Sequence, residues 1–170
     1  MYEKEVAIID STKIVLQVKL NELKRAEQNM ESVGFAKYET YCVFLKNNVK
    51  DTVVRYEATA LQQFVNSGKT IELFAKNKAE LIKQTETSIA QLQKLSLDVK
   101  ENNLPLNSVQ AYFASEKSHA EELIKAIEHN IKAFNLSVNN YRNSVIRTEE
   151  YIKKINNGTL PTVVPDTNLE

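Results

Sequence analysis

An all-α fold, an elongated antiparallel bundle of about four long helices, is what this 170-residue sequence predicts. Three observations predict it. Apolar residues return at intervals of three, four and seven along nearly the whole chain, the spacing that lines one face of an α-helix. Only three Gly and three Pro are present, and Pro161 and Pro165 fall in the last ten residues, so the chain has few turns and long elements. Hydrophobic residues make up 42%, enough for a packed core.

The first segment carries Val6, Ile9, Leu16, Leu20, Leu23 and Met30 at helical spacing. Part of it, Leu16-Gln17-Val18-Lys19-Leu20, alternates as a strand would, but no second strand candidate exists to pair with it, and helix is the reading. Gly34 is the one break before the next segment, and a lone Gly costs a helix only about 1 kcal/mol. A break there gives four helices. Continuity through Gly34 gives three, the first running from Glu3 to Asn66 with half its stripe in need of a partner chain. Four is preferred. The second segment shows Tyr38, Tyr41, Cys42, Leu45, Val49, Val53, Tyr56, Ala60 and Phe64, and Ser67-Gly68 reads as the turn that ends it.

The third helix follows with Ile71, Phe74, Leu81, Ile82, Thr85, Ile89, Leu92, Leu95 and Val99, fading at Asn102-Asn103. The fourth starts after Pro105, with Asn107 as N-cap and Gln110 three positions on as in a capping box. Its stripe is Val109, Phe113, Ala120, Leu123, Ile127, Phe134, Val138, Tyr141, Val145, Ile152 and Ile155. Lys153 and Lys154 suit the negative end of the helix dipole, and Asn157-Gly158 supplies a left-handed stop. Residues 1–158 are therefore expected to form one helical bundle domain, and 159–170 an extended or disordered tail.

Charge and composition exclude several functions. Lys plus Arg equals Asp plus Glu, 22 each, and the basic residues are scattered, which argues against nucleic acid. The pairs Lys24-Arg25 and Lys153-Lys154 read as solvated helix faces. Cys42 is the single cysteine, so no disulfide closes within the chain, and its apolar neighbours suggest a buried small hydrophobe. No run approaches the ~18 apolar residues a membrane-spanning helix needs. Met1-Tyr2-Glu3-Lys4-Glu5 does not read as an export leader, so an exported form is expected to have lost one.

Candidate chemistry is sparse. Glu116 and His119 form an E-x-x-H pair of the kind di-iron bundles use, but that site needs a second such pair. The other histidine, His129, has no glutamate three residues before it and lies ~15 Å along the same helix, too far to share a metal. Gly68-Lys69-Thr70 has the closing letters of a phosphate-binding loop, yet Gln63 stands where its first glycine belongs, and a helix leads in where a strand should. Nucleophilic catalysis needs a Ser or Cys held by a base and an orienting group, usually on loops, and two histidines on one helix with almost no loop residues argue against it. Tyr38, Tyr41, Phe44 and Tyr56 could line a pocket between helices, although aromatics at this spacing more often form core. Asn135-Leu136-Ser137 and Asn157-Gly158-Thr159 match the glycosylation sequon, a pattern that arises readily by chance. No catalytic, cofactor-binding or metal residues are assigned, no cofactor is expected, and an enzyme is not predicted.

One stretch points to a family. The run Leu92-x-x-Leu95-x-x-Asp98-x-x-x-Asn102-Asn103-Leu104-Pro105, then a helix carrying Phe113, Glu116, Ala120, Leu123, Ile127, Tyr141, Val145 and Ile152, resembles small helical envelope lipoproteins of Gram-negative bacteria, inclusion-protein-like and of coiled-coil character. The resemblance covers roughly 92–155. It implies a periplasmic or outer-membrane-anchored location, with a lipid-modified cysteine preceding the helices. The expected function is a non-enzymatic structural or interaction bundle that offers helix faces to a protein partner or to further copies of itself. A ligand-sensing extracytoplasmic four-helix bundle is the alternative, a helical pore-forming toxin subunit the third, and a cytoplasmic location the alternative setting.

Overall fold

The computed structural model describes residues 3–26, 34–50 and 52–163. Among these the fold is all-α, with no strand and four α-helices: α1 Glu3–Ala26, α2 Tyr38–Asn48, α3 Arg55–Lys100 and α4 Leu106–Ile155. A single turn of 3-10 helix, Phe35–Lys37, leads into α2. The chain packs as two compact units, Met1–Gln28 with Ala75–Lys132 and Asn29–Phe74 with Ala133–Glu170. α3 and α4 contribute a stretch to each.

The first junction falls where the four-helix reading puts it. Gly34 adopts φ 66°, ψ 39°, a left-handed conformation that a helix running on through it would not have. Ser67-Gly68, in contrast, is no turn. α3 continues straight through both, and the break lies earlier, between α2 and α3, where Val49 turns extended (φ −83°, ψ 100°). The physical reason is local composition. Asn47, Asn48, Val49, Thr52, Val53 and Val54 are all poor helix formers, and their summed preference outweighs one glycine.

Gly68 has a packing role instead. A Cβ there would collide with the Tyr38 ring, so the ring lies directly on the α3 backbone, and the Tyr38 hydroxyl donates to the Val65 carbonyl at 2.9 Å. α4 begins one residue before the expected cap: the Pro105 carbonyl accepts the Ser108 and Val109 N–H groups, which leaves Asn107 inside the first turn. The helix ends match each other. At the close of α3, Asn102 (φ 55°) sends the Asn103 N–H back to the Asp98 carbonyl. At the close of α4, Asn157 (φ 52°) and Gly158 send the Gly158 N–H back to Lys153. Residues 159–163 are not helical, and the rest of the expected tail, like Met30 of the first stripe, lies outside the described residues.

In the unit containing α1, partners run in opposite order along the two helices. Asp10 meets Ser96, Lys13 meets Gln93 and Lys24 meets Glu86, so α1 and this part of α3 are antiparallel. The core is aliphatic: Ile9, Leu16, Leu92, Leu95, Val99, Val109, Ala120 and Leu123, with Leu81, Leu104 and Phe113 against it. Burial of each large member contributes about 1.5–3 kcal/mol. In the other unit, Glu57 meets Lys154, Phe64 meets Tyr141 and Phe74 meets Phe134, so α3 and α4 are again antiparallel. Its core is aromatic, with Tyr141 in ring contact with Phe35, Tyr38 and Phe64.

Among the described residues the predicted stripes are buried or half-buried with two exceptions. Tyr56 is exposed, with the Arg147 guanidinium 4.8 Å from its ring centre, and Ile155 at the end of α4 is 38% exposed. Cys42 is half-buried where full burial was expected, and burial pushes its thiol pKa up.

Candidate interaction surface

The residues that chemistry would need do not converge. His119 and His129 are both exposed on α4, and Glu116 is half-buried, one of its carboxylate oxygens inaccessible and without a hydrogen-bond partner. Glu116 lines a groove of about 330 Å³ with Asp98, Lys94 and Tyr112. Among the described residues no three His, Cys, Asp or Glu side chains are placed to hold a metal. Gly68-Lys69-Thr70 lies mid-helix, so no phosphate-binding loop forms there. Of the four aromatics weighed as a pocket lining, Tyr38 and Tyr41 are core, Phe44 is half-buried and Tyr56 faces solvent. Asn135 of one sequon is exposed in the middle of α4, and its Ser137 is buried. Another groove, about 790 Å³, is lined by Arg55, Thr59, Gln62, Asn66, Thr70 and Asn140 among others, mostly polar side chains with one charge.

Two carboxylates organise the polar edges of the bundles. Asp10 accepts hydrogen bonds from Ser96 (2.9 Å) and Lys13 (3.3 Å), and Lys100 stands 3.5 Å away. Burial acts to raise its pKa, but these bonds and the lysine charges outweigh it and hold the carboxyl below its ordinary value. Glu149 accepts from Lys37 (2.6 Å) and from the Tyr41 hydroxyl (2.9 Å), tying the start of α2 to α4. There too burial acts to raise the pKa, and the Lys37 and Tyr41 hydrogen bonds, with the charges of Lys37 and Lys153, bring it below the usual carboxylate range. Burial drives the Tyr38, Tyr41 and Tyr141 hydroxyls well above the ordinary tyrosine pKa, so all three stay protonated donors.

α1 carries a feature absent from the stripe read off its sequence. Its inward side buries Ile9, Leu16, Leu20, Leu23 and Ala26. Its opposite side, reached by 100° steps, places Ala7, Ile8, Ser11, Ile14, Val15 and Val18 together, all exposed. Ile8 and Val15 are 43% exposed, Val18 50% and Ile14 60%. These four leave on the order of 300 Å² of apolar surface in water, comparable with the largest patches on ordinary monomers. All four are β-branched, and such residues weaken an exposed helix relative to Lys, Glu or Ala by up to ~0.7 kcal/mol each. The face therefore costs both hydration and helix propensity.

The sequence held a signal for this face. Ile8, Ile14, Val15 and Val18 fall off the buried stripe, and Val18 is the middle apolar letter of the Leu16–Leu20 alternation that looks strand-like. A search for one stripe per helix passes over a second. No helix among the described residues is long and apolar enough to cross a membrane. No protein-family model matches the chain, and no curated protein or solved structure does either.

Proposed function

We propose that this protein is a non-enzymatic interaction module, a helical bundle that presents the outward face of α1 to a protein partner and works in the cell envelope. The exposed Ile8, Ile14, Val15 and Val18 carry the reading, because an apolar helix face left in water is what helix-in-groove recognition uses. The envelope setting is supported by the resemblance over 92–155 to helical envelope lipoproteins. Its mechanism is display: the inward side of α1 is pinned by the Asp10 and Lys13 bonds to α3, which holds the outward side in a fixed orientation.

Site-specific photo-cross-linking in cells tests it. A photoreactive residue at Val18 or Ile14 is expected to give a discrete protein adduct, and one at Lys117, exposed on α4, is not. Equal labelling from all three positions, or none from any, would count against the module. Cell fractionation checks the setting, with recovery in the envelope fraction expected.

A further inference from the structure

We infer that the outward face of α1 docks on the same face of a second copy of this chain, the two helices antiparallel about a two-fold axis midway between Ser11 and Val15. This deepens the interaction reading above and rests on it.

The face has three rows at seven-residue spacing: Lys4, Ser11, Val18, Arg25; Ala7, Ile14, Asn21; and Ile8, Val15, Glu22. The apolar members occupy the middle and the charges sit at the ends. With Ile8 set opposite Val18 of the second copy, an antiparallel arrangement brings Ser11 opposite Val15 and Lys4 opposite Glu22. Glu3 then comes within one turn of Arg25. The two-fold makes each of these contacts twice. A parallel arrangement would put Lys4 on Lys4, Glu22 on Glu22 and Arg25 on Arg25, like charges throughout, and would align the two helix dipoles unfavourably. The face is thus self-complementary in one direction only. That property singles out another copy of this chain among apolar occupants, since an unrelated helix would have no reason to match both ends.

Contact along about three helical turns buries on the order of 1,000 Å² in total, below the range of permanent dimers. The assembly is accordingly weak and concentration-dependent, with association set by the central Ile and Val residues and orientation by the terminal charges.

Sedimentation velocity on the purified full chain, from low micromolar to near-millimolar concentration, provides the test. A monomer–dimer equilibrium within that range is expected. Val18→Asp should weaken it at least about tenfold with helicity unchanged by circular dichroism, since Val18 is 50% exposed and lies outside the buried core. Glu22→Lys should weaken it about tenfold by facing Lys4 twice, and Lys4→Glu combined with Glu22→Lys should return it to within about threefold of the parent. A chain that stays monomeric throughout, a Val18→Asp dimer as strong as the parent, or a double reversal no better than the single one overturns the inference. The two readings separate cleanly. An adduct at Val18 with a different protein, beside a monomeric purified chain, leaves the module standing and removes self-association. Absence of both removes both.

Discussion

The two compact units hold their short partner helix by different means. α1, 24 residues long, lies on an aliphatic core of Ile, Leu and Val, with bonds from Asp10, Lys13 and Lys24 along its edges. α2, only 11 residues, buries three side chains, Tyr38, Tyr41 and Leu45. It compensates with specific geometry: the Tyr38 ring over Gly68, the Tyr38 hydroxyl on Val65, and Glu149 accepting from both Lys37 and Tyr41. A three-turn helix cannot bury enough aliphatic surface to dock by area alone, since isolated helices of that length are marginal. Each aromatic side chain does more, combining a large buried area with a directional hydroxyl. α1 has length to spare, which is why it can leave a second apolar face unused in its own fold.

The largest expected effect breaks the aromatic side of this contrast. Tyr141→Ala removes a fully buried ring that touches Phe35, Tyr38 and Phe64, and should cost about 3–5 kcal/mol. In hydrogen exchange, protection should fall most over 38–48. Leu16→Ala, a fully buried aliphatic truncation costing about 2–5 kcal/mol, should instead lower it most over 3–26. The same exchange map from both variants would erase the contrast.

Next comes the close approach of α2. Gly68→Ala should destabilise by about 1–3 kcal/mol through overpacking, in spite of alanine's better helix propensity. Tyr38→Ala in the same chain should relieve that strain, so urea denaturation should give a double variant less destabilised than the two single effects combined. Additivity would mean that the ring does not lie on Gly68 in solution.

Acid sharpens the comparison further, because among the described residues each unit contains one carboxylate with a depressed pKa. The unfolded chain takes up these protons more readily than the folded one. The contribution is therefore complete above the unfolded pKa, near 4.5 for Glu149 and 3.8 for Asp10, and is lost as pH falls through the lower folded values. Glu149→Gln should cost roughly 1–2 kcal/mol at neutral pH and flatten the acid limb of the stability curve. Asp10→Asn, at a more exposed edge, should cost less than about 1 kcal/mol. A parent chain equally stable at pH 3 and pH 6 would contradict both. Smallest of all, Lys24→Ala should alter the melting temperature hardly at all, since its partner Glu86 and the lysine itself are about half exposed.

Much of this architecture was legible from letters alone, and the exceptions share a cause. The stripes of α3 and α4 could be read because one face is buried over many turns, and periodicity reports that directly. The stops at Asn102 and Asn157-Gly158 were readable because left-handed conformations favour those residue types. Ser67-Gly68 misled because glycine marks two different things, a bend in the backbone or a place where another group comes close, and only the position of Tyr38 tells them apart. The true break at 49–54 has no glycine or proline; its signal is a thin sum of Asn and β-branched preferences. The outward face of α1 stayed hidden because exposure depends on which side the rest of the chain leaves uncovered.

Gly68 and Gly158 would behave as opposites under chemical synthesis. Gly158 sits at φ 82°, and an L-Cβ there would meet no atom within 4 Å, so what opposes an L-residue is handedness; a D-alanine should suit that φ and, by narrowing the unfolded ensemble, raise the melting temperature. At Gly68 the obstacle is the neighbouring ring. Neither mirror form is suitable, because the L-methyl meets Tyr38 and the D-residue disfavours a right-handed helix. One glycine is replaceable by changing chirality, the other only by redesigning what rests on it.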